Sequence, residues 1–435
     1  MAITTSATGG RQVHTVSGGF SGAPDKIMSF ETGKLAGLAD GAVVGRMGDT
    51  MVLVTATAAK SVREGIDFFP LTVDIEERSY AAGKIPGSFF RREGRAPDSA
   101  ILTARLIDRP LRPSFPDGFR NEVHIVGTVL GADQHNPYDV VAINAASAAL
   151  TISGIPFDGP IGAVRIAYTT DGEWIPHPTY EEGDESSFEM VVAGRVLPDG
   201  DVAVMMVEAG GTEKSFQYYA DGAPKVDEAA LAAGLEASKV WIREAVQLQL
   251  ELRDKVGPKP TIEYKPQVDY TDEIFAAVEA AGAERIAATQ KIADKTERQT
   301  AENALRDELV AELLPRFVGE GEDALSEADA IKQLKAAIRS LTKKLVRKRI
   351  VEEGIRIDGR GVRDIRPLSA EVGLIPTAHG SGLFQRGETQ VLKITTLGMQ
   401  RMDQLIDGID PTTRKRYMHH YNFPPFSTGE TGFMR

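Results

Sequence analysis

Apolar and β-branched residues gather in short runs over the first half of the chain. Thr50-Met-Val-Leu-Val-Thr-Ala-Thr57 has the composition of a buried strand. Val43-Val44 and residues 68–73 read the same way. Residues 163–167, 189–193 and 202–207 add later strands, with Leu197-Pro-Asp-Gly200 as the turn between the last two. A helical period appears over 98–108, 140–153 and 227–255. The last of these places Leu231, Leu235, Ile242, Val246 and Leu250 on one side and stops at Gly257-Pro258. From about 270 to 350 strand signals vanish and Ala, Glu, Lys, Arg and Leu dominate, with a break at Leu314-Pro315 and an acidic loop over 320–323. After Gly354 the strand pattern returns, over 369–397.

That return is a repeat. Residues 41–57 set against 380–396, at an offset of 339, give six identities in 17 positions: Gly41/Gly380, Gly48/Gly387, Thr50/Thr389, Val52/Val391, Leu53/Leu392 and Thr57/Thr396. Two copies of one strand–turn–strand unit are expected, with Gly48 and Gly387 in the same turn. The pattern therefore predicts an α+β chain. A flexible tail over 1–25 precedes a first α/β domain over 26–260. An all-helical domain over 261–350 follows, and then the start of a second copy of the first domain over 351–435.

No apolar run approaches the ~18 residues of a transmembrane helix, and the N-terminus lacks the basic start and apolar core of a secretory signal. Cysteine is absent, which removes disulfides, thiolate catalysis and cysteine zinc sites, and a reducing cytoplasm accounts for it. The net charge of −12 is unevenly spread. Residues 78–120 and 341–366 each carry nine basic and four acidic residues, a net +5, leaving −22 for the rest. Two basic segments on an acidic body fit a protein that holds a polyanion in one place and repels it elsewhere, although charge runs also make ordinary solvated faces.

Chemistry concentrates in Gly87-Ser-Phe-Phe-Arg-Arg-Glu-Gly-Arg95, which is poor helix and poor strand and reads as an exposed loop. Phe89 and Phe90 offer faces on which any base stacks, and Arg91, Arg92 and Arg95 offer planar forks for phosphate. The alternative buries both aromatics and pairs the arginines with Glu76, Glu77 and Glu93. Arg105 and Arg109 sit four apart on one helix face, and Arg112 follows after Pro110 breaks the helix. They are candidates for phosphate binding, or for capping carbonyls and pairing with Asp108. A basic helix end, 343–349, is a second candidate RNA-facing surface. There is no P-loop, dinucleotide fingerprint, zinc-protease motif or nucleophile elbow. His419 and His420 are neighbours and point apart in an extended segment, which suits no shared metal.

The segments Asp67-Phe-Phe-Pro-Leu-Thr-Val-Asp74, 79–95, Ala104-Arg-Leu-Ile-Asp-Arg-Pro-Leu-Arg-Pro113, 145–162, 379–390 and 421–432 resemble bacterial polynucleotide phosphorylases, within the RNase PH-like superfamily. The resemblance covers about 26–435. It implies two RNase PH-like α/β domains flanking an all-helical one, and a homotrimeric ring around a channel in which Phe89, Phe90, Arg91, Arg92 and Arg95 grip single-stranded RNA. It implies phosphorolytic 3′-to-5′ degradation of RNA in the cytoplasm, reversible as polymerisation, with magnesium as cofactor and inorganic phosphate as co-substrate. RNA-degradation machinery is an implied partner, and no membrane is. In this family the catalytic and metal residues follow the 421–432 motif, so they are expected beyond Arg435, the second domain is expected to be truncated, and these 435 residues alone are expected to be inactive. Two other readings carry their own discriminators. An inactive RNA-binding ring or scaffold subunit would lack carboxylates and arginines in the rest of the second domain. An alarmone synthetase would show pyrophosphoryl transfer from ATP.

Overall fold

Strand structure begins near the start of the chain in the computed structural model, which describes residues 2–8, 11–63, 66–87, 89–257, 259–319 and 325–433. Two units separate, one of Met1–Pro266 with Asp403–Arg435 and one of Gln267–Met402. The first holds β1 Ala2–Thr8, β2 Arg11–Phe20, β3 Ala23–Thr32, β4 Gly41–Met47, β5 Thr50–Ala58, β6 Leu71–Glu77, β7 Val123–Gly131, β8 Ile161–Tyr168, β9 Trp174–Pro176, β10 Phe188–Val196 and β11 Val202–Gly211. Its helices are α1 Asp98–Leu111, α2 Asp139–Thr151, α3 Tyr180–Asp184, α4 Ser215–Ala220 and α5 Glu228–Val256. The second unit holds α6 Asp272–Thr289, α7 Lys295–Phe317, α8 Glu327–Glu353, β12 Leu368–Val372, β13 Gly380–Arg386 and β14 Thr389–Thr395. The hairpin β15 Gln404–Ile406 and β16 Thr413–Lys415 belongs to the first unit.

In the first unit a seven-stranded sheet runs β1-β2-β3-β4-β5-β7-β6, with only β6 and β7 parallel, and a four-stranded sheet runs β11-β10-β8-β9. Helix α2 is packed between them, which is why Val140 through Leu150 is apolar all round and buried throughout. Asn144 and Ser147 are the polar members of that run, and the Asn144 amide is fully used. It donates to Val140 O at 3.0 Å and Ala163 O at 2.9 Å and accepts from Ala163 N at 3.0 Å, which fixes the helix to β8. Gly41 is where α2 crosses β4: a Cβ there would stand 2.0 Å from Ala149 O. The helices α6, α7 and α8 of the second unit close a separate core around Ile274, Val278, Leu309, Leu334 and Leu341.

Four expectations need correction. The tail expected over 1–25 is largely sheet, because Val13, Val16 and Phe20 supply buried positions that a short glycine-rich stretch disguises. The strand expected over 68–73 runs instead from Leu71 to Glu77. Phe68 is exposed and Phe69 packs with Phe115 and Phe119, so their bulk serves an aromatic cluster, not the ladder. Neither proline breaks its helix where expected. Pro110 and Pro315 lie in the last turns of α1 and α7, where only a single donor is lost near the end. The acidic loop at 320–323 and Pro258 lie outside the described residues.

The repeat is geometrically real. Gly41 pairs with Ala56 and Met47 with Thr50; Gly380 pairs with Thr395 and Arg386 with Thr389, so the register is the same at the 339 offset. Gly48 (φ 58°) and Gly387 (φ 61°) both take the left-handed region at the first turn position. The match extends one strand further back at an offset of 340. Glu31 pairs with Val44 as Glu371 pairs with Leu383, and Ser29, Glu31 and Gly33 reappear as Ser369, Glu371 and Gly373. The two copies differ in cover. Val43, Val52 and Val54 are buried, while Leu368, Phe384, Val391, Leu392 and Ile394 are exposed.

Candidate nucleic-acid interface

The loop between Lys84 and Pro97 stands clear of the first unit's core. Phe89 and Phe90 are 91% and 83% exposed and meet edge to face with centroids 5.4 Å apart. Ser88 lies outside the described residues. Arg91 sits at φ 51°, a left-handed conformation rare for a side-chain-bearing residue and characteristic of functional turns. Arg91 and Arg95 are exposed and have no hydrogen-bond or ion-pair partner among the described residues. The acids that could have neutralised the loop are engaged elsewhere. Glu76 pairs with Arg78, Glu77 accepts from the Tyr138 hydroxyl at 2.6 Å, and Glu93 accepts from Ser79 N at 3.1 Å. The geometry thus favours the exposed reading of the loop over the buried one.

Two side chains fix the base of this loop: Glu93, which the sequence offered only as a partner for the loop arginines, and Lys84, which it did not mark. Glu93, half-buried among exposed neighbours, ties the far limb back to the helical turn at Ser79. Lys84 holds the near limb to the β15–β16 hairpin, donating to Asp407 at 2.7 Å and Gly408 O at 2.9 Å, and its ammonium lowers the Asp407 pKa. The hairpin is itself seated by Ile409, which joins the first unit's core at 3% exposure, and by the Tyr180 hydroxyl donating to Asp410. Burial raises the Asp410 and Glu77 pKa values, so both tyrosine–carboxylate pairs hold shielded acids. Ile409→Asp is expected to release the hairpin, because burying such a side chain is worth about 1.5–3 kcal/mol. Trypsin cleavage at Arg414, Lys415 and Arg416 should then accelerate roughly tenfold or more, since cleavage follows the open population. An unchanged cleavage rate would mean that Ile409 does not seat it.

Arg105, Arg109 and Arg112 do not form one cluster. Arg112 is spent internally, donating to both Asp108 carboxylate oxygens at 2.6 and 3.0 Å, to Phe69 O and to Leu71 O. Arg109 pairs with Glu208 and donates to Val207 O at 3.1 Å. Only Arg105 is exposed without a partner among the described residues. It borders a cavity of about 740 Å³ whose wall includes Tyr138, Asp139, Arg165, Glu189, Glu208 and Asp410. Arg165 is committed to Asp139 and Glu189, leaving the wall with more carboxylates than free cations. Arg109 and Arg112 are thus arranged as the pairing alternative describes. Beside Arg165 lies a residue the sequence gave no reason to notice. His177 is buried against Phe20, with ring centroids 4.2 Å apart, and its pKa is pushed down to about 3 by burial and by the nearby Lys26 and Arg165 cations.

In the helical unit the expected basic surface is divided. Lys344 pairs with Glu279, Lys348 with Glu352, and Arg349 donates to Gln290 O, whereas Lys343 and Arg347 stay exposed without partners among the described residues. Among the described residues no group of three or more His, Asp and Glu side chains converges to hold a metal ion. No helix of the described residues is long and apolar enough to cross a membrane.

Comparison with known proteins returns the same architecture. The model of the 3′ exoribonuclease family, domain 1, matches 26–156 and again 364–435, the two stretches that carry the duplicated strands. The model described as "Polyribonucleotide nucleotidyltransferase, RNA binding domain" matches 273–361, the three-helix region. Proteins named polyribonucleotide nucleotidyltransferase from Acidothermus cellulolyticus and Salinispora tropica are each 54% identical over 407 residues, covering 94% of this chain and 50% of theirs. The one from Saccharopolyspora erythraea is 56% identical over 408 residues, covering 94% of this chain and 53% of its own. The chain spans about half the length of the curated relatives it matches.

Proposed function

We propose, on the premise that this chain belongs to the polyribonucleotide nucleotidyltransferase family, that the full-length protein degrades single-stranded RNA from its 3′ end by phosphorolysis. An oxygen of inorganic phosphate attacks the phosphorus of the 3′-terminal phosphodiester. The new P–O bond forms as the bond to the preceding nucleotide's 3′-oxygen breaks, and that oxygen takes the proton. A nucleoside diphosphate leaves, and the reverse reaction adds one. Such a transfer is driven chiefly by positioned charge, and magnesium supplies part of it when bound. A homotrimeric ring and a cytoplasmic site of action belong to the same proposal.

The observation that carries this reading is the projecting loop, where two exposed aromatics and Arg91 and Arg95, unpartnered among the described residues, offer a stacking and phosphate-binding surface indifferent to base identity. A non-catalytic RNA scaffold is the second reading, favoured by the internal pairing of Arg109 and Arg112. The test is an assay of the full-length protein on oligo(A) with and without phosphate. Phosphate-dependent release of adenosine diphosphate supports phosphorolysis. Release of monophosphate regardless of phosphate overturns it, and binding without release gives the scaffold.

A further inference from the structure

Little along the projecting loop itself holds it in place. Of its described residues from Ile85 to Pro97, only Pro86 and Glu93 are half-buried, and the rest are exposed. A Cβ built on Gly87 or Gly94 would meet nothing within 4 Å, so neither limb is packed against a neighbour at those points. Apolar contact therefore does not orient Phe89, Phe90, Arg91 and Arg95, and their placement falls to whatever fixes the two limbs. The far limb is tied at Glu93 to Ser79 N. The near limb leaves the helical turn Ser79–Ala82 through Gly83, at φ 67°. That turn is firm. Ala81 O accepts from Ala132 N at 2.9 Å, and Ser79 O accepts from Lys84 N at 2.9 Å.

At the end of the near limb stands Lys84. An ammonium has three donors, and each finds an acceptor within 407–412: Asp407 Oδ1 at 2.7 Å, Gly408 O at 2.9 Å and Thr412 Oγ1 at 3.4 Å. The Thr412 hydroxyl donates in turn to Asp407 Oδ1 at 3.2 Å. An exposed ion pair by itself contributes little, because two mobile side chains must be ordered to make it. Here the acceptors are already ordered. Ile409, between them, is 3% exposed in the first unit's core, and Asp410 accepts from the Tyr180 hydroxyl. The lysine alone loses freedom on making the contact. With its three donors so engaged, Lys84 has none left for a phosphate.

We propose that Lys84 and Asp407 are positioning residues for RNA binding, which do not touch the strand and together hold the projecting loop where its aromatics and arginines meet it. This rests on the reading of that loop as an RNA-binding surface and adds what makes the surface competent. A loop correctly placed for only about a fifth of the time binds about five times more weakly, with no contact to RNA removed.

The sign of one substitution separates positioning from bulk charge. Asp407→Asn removes an anion from the neighbourhood of a bound polyanion, which by charge alone tightens binding. Positioning predicts the reverse: the Kd for fluorescent oligo(A), measured on the full-length protein without phosphate, rises about fivefold. Lys84→Gln is expected to weaken binding by a similar factor. The double variant should lose no more than Lys84→Gln alone, because both residues act through one contact. With phosphate present, Asp407→Asn should raise KM for oligo(A) and leave kcat unchanged. Melting temperatures should hold, since both side chains are partly exposed and lie outside the core. Tighter or unchanged binding by Asp407→Asn overturns the positioning role, and so does a double variant whose losses multiply. A fall in kcat at unchanged KM overturns it as well, by placing the pair with the chemistry. If reversing Arg91 and Arg95 weakens binding while Asp407→Asn does not, the RNA reading stands and the positioning role falls. If the wild-type protein binds no oligo(A), both fall.

Discussion

Replacing Arg91 and Arg95 together by glutamate is expected to weaken single-stranded RNA binding roughly 100-fold at about 0.1 M salt, with no loss of folded protein. Both guanidinium groups are exposed and unpartnered among the described residues, so the substitution breaks no contact that holds the fold. Each reversal removes a charged hydrogen bond to phosphate and adds a repulsion. Phe89→Ala with Phe90→Ala should weaken binding in a different manner, by a factor that barely changes with salt, because stacking releases no counterions. Titrations across a salt series separate the two. If the double reversal left the affinity as it was, the loop would not be a clamp, whatever the aromatics did.

Acidification is expected to destabilise the first unit through His177. In the unfolded chain this imidazole takes a proton near pH 6.5, but in the folded protein not until about pH 3. A depressed folded pKa means that the contribution is complete above 6.5 and is lost as pH falls toward 3, the unfolded state binding more protons in between. By pH 4 the loss amounts to roughly 3 kcal/mol. Glu77 and Asp410, with raised pKa values, act in the opposite sense, so the comparison that isolates the histidine is with His177→Phe. Denaturant melts at pH 7 and pH 4 should show the variant losing less stability than the wild type on acidification. Parallel losses in the two would remove His177 as the cause.

The long signals in this chain were legible and the short ones were not. The hairpin repeat could be read because glycine turns and β-branched strands fall at a constant offset. The strand before it, Ser29-Phe-Glu-Thr-Gly33 against Ser369-Ala-Glu-Val-Gly373, escaped because the connection to the hairpin is one residue shorter in the second copy. Strand β2 reads as tail from sequence because Gly18 and Gly19 interrupt an alternation in which Val13, Val16 and Phe20 are nonetheless buried. Arg105, Arg109 and Arg112 looked equivalent by spacing. Their fates depend on Glu208 and on the carbonyls of Phe69 and Leu71, residues about 40 to 100 positions away that no local pattern reveals. The exposure of Phe89, Phe90, Arg91 and Arg95 was readable because a glycine-flanked run of that composition suits neither helix nor strand.

The β15–β16 hairpin gives the first unit an order of completion. Lys84 waits 323 residues for Asp407, and Tyr180 waits 230 for Asp410. At about 5–20 residues per second, a ribosome leaves roughly 16 to 65 seconds between the emergence of Lys84 and that of its partner. During that interval the sheets can form, yet the cavity lacks Asp410, the core seat that Ile409 fills is empty, and the base of the projecting loop lacks its Lys84 tie. A nascent chain of this protein therefore carries a projecting loop whose base is finished only when synthesis has passed the second copy of the strands.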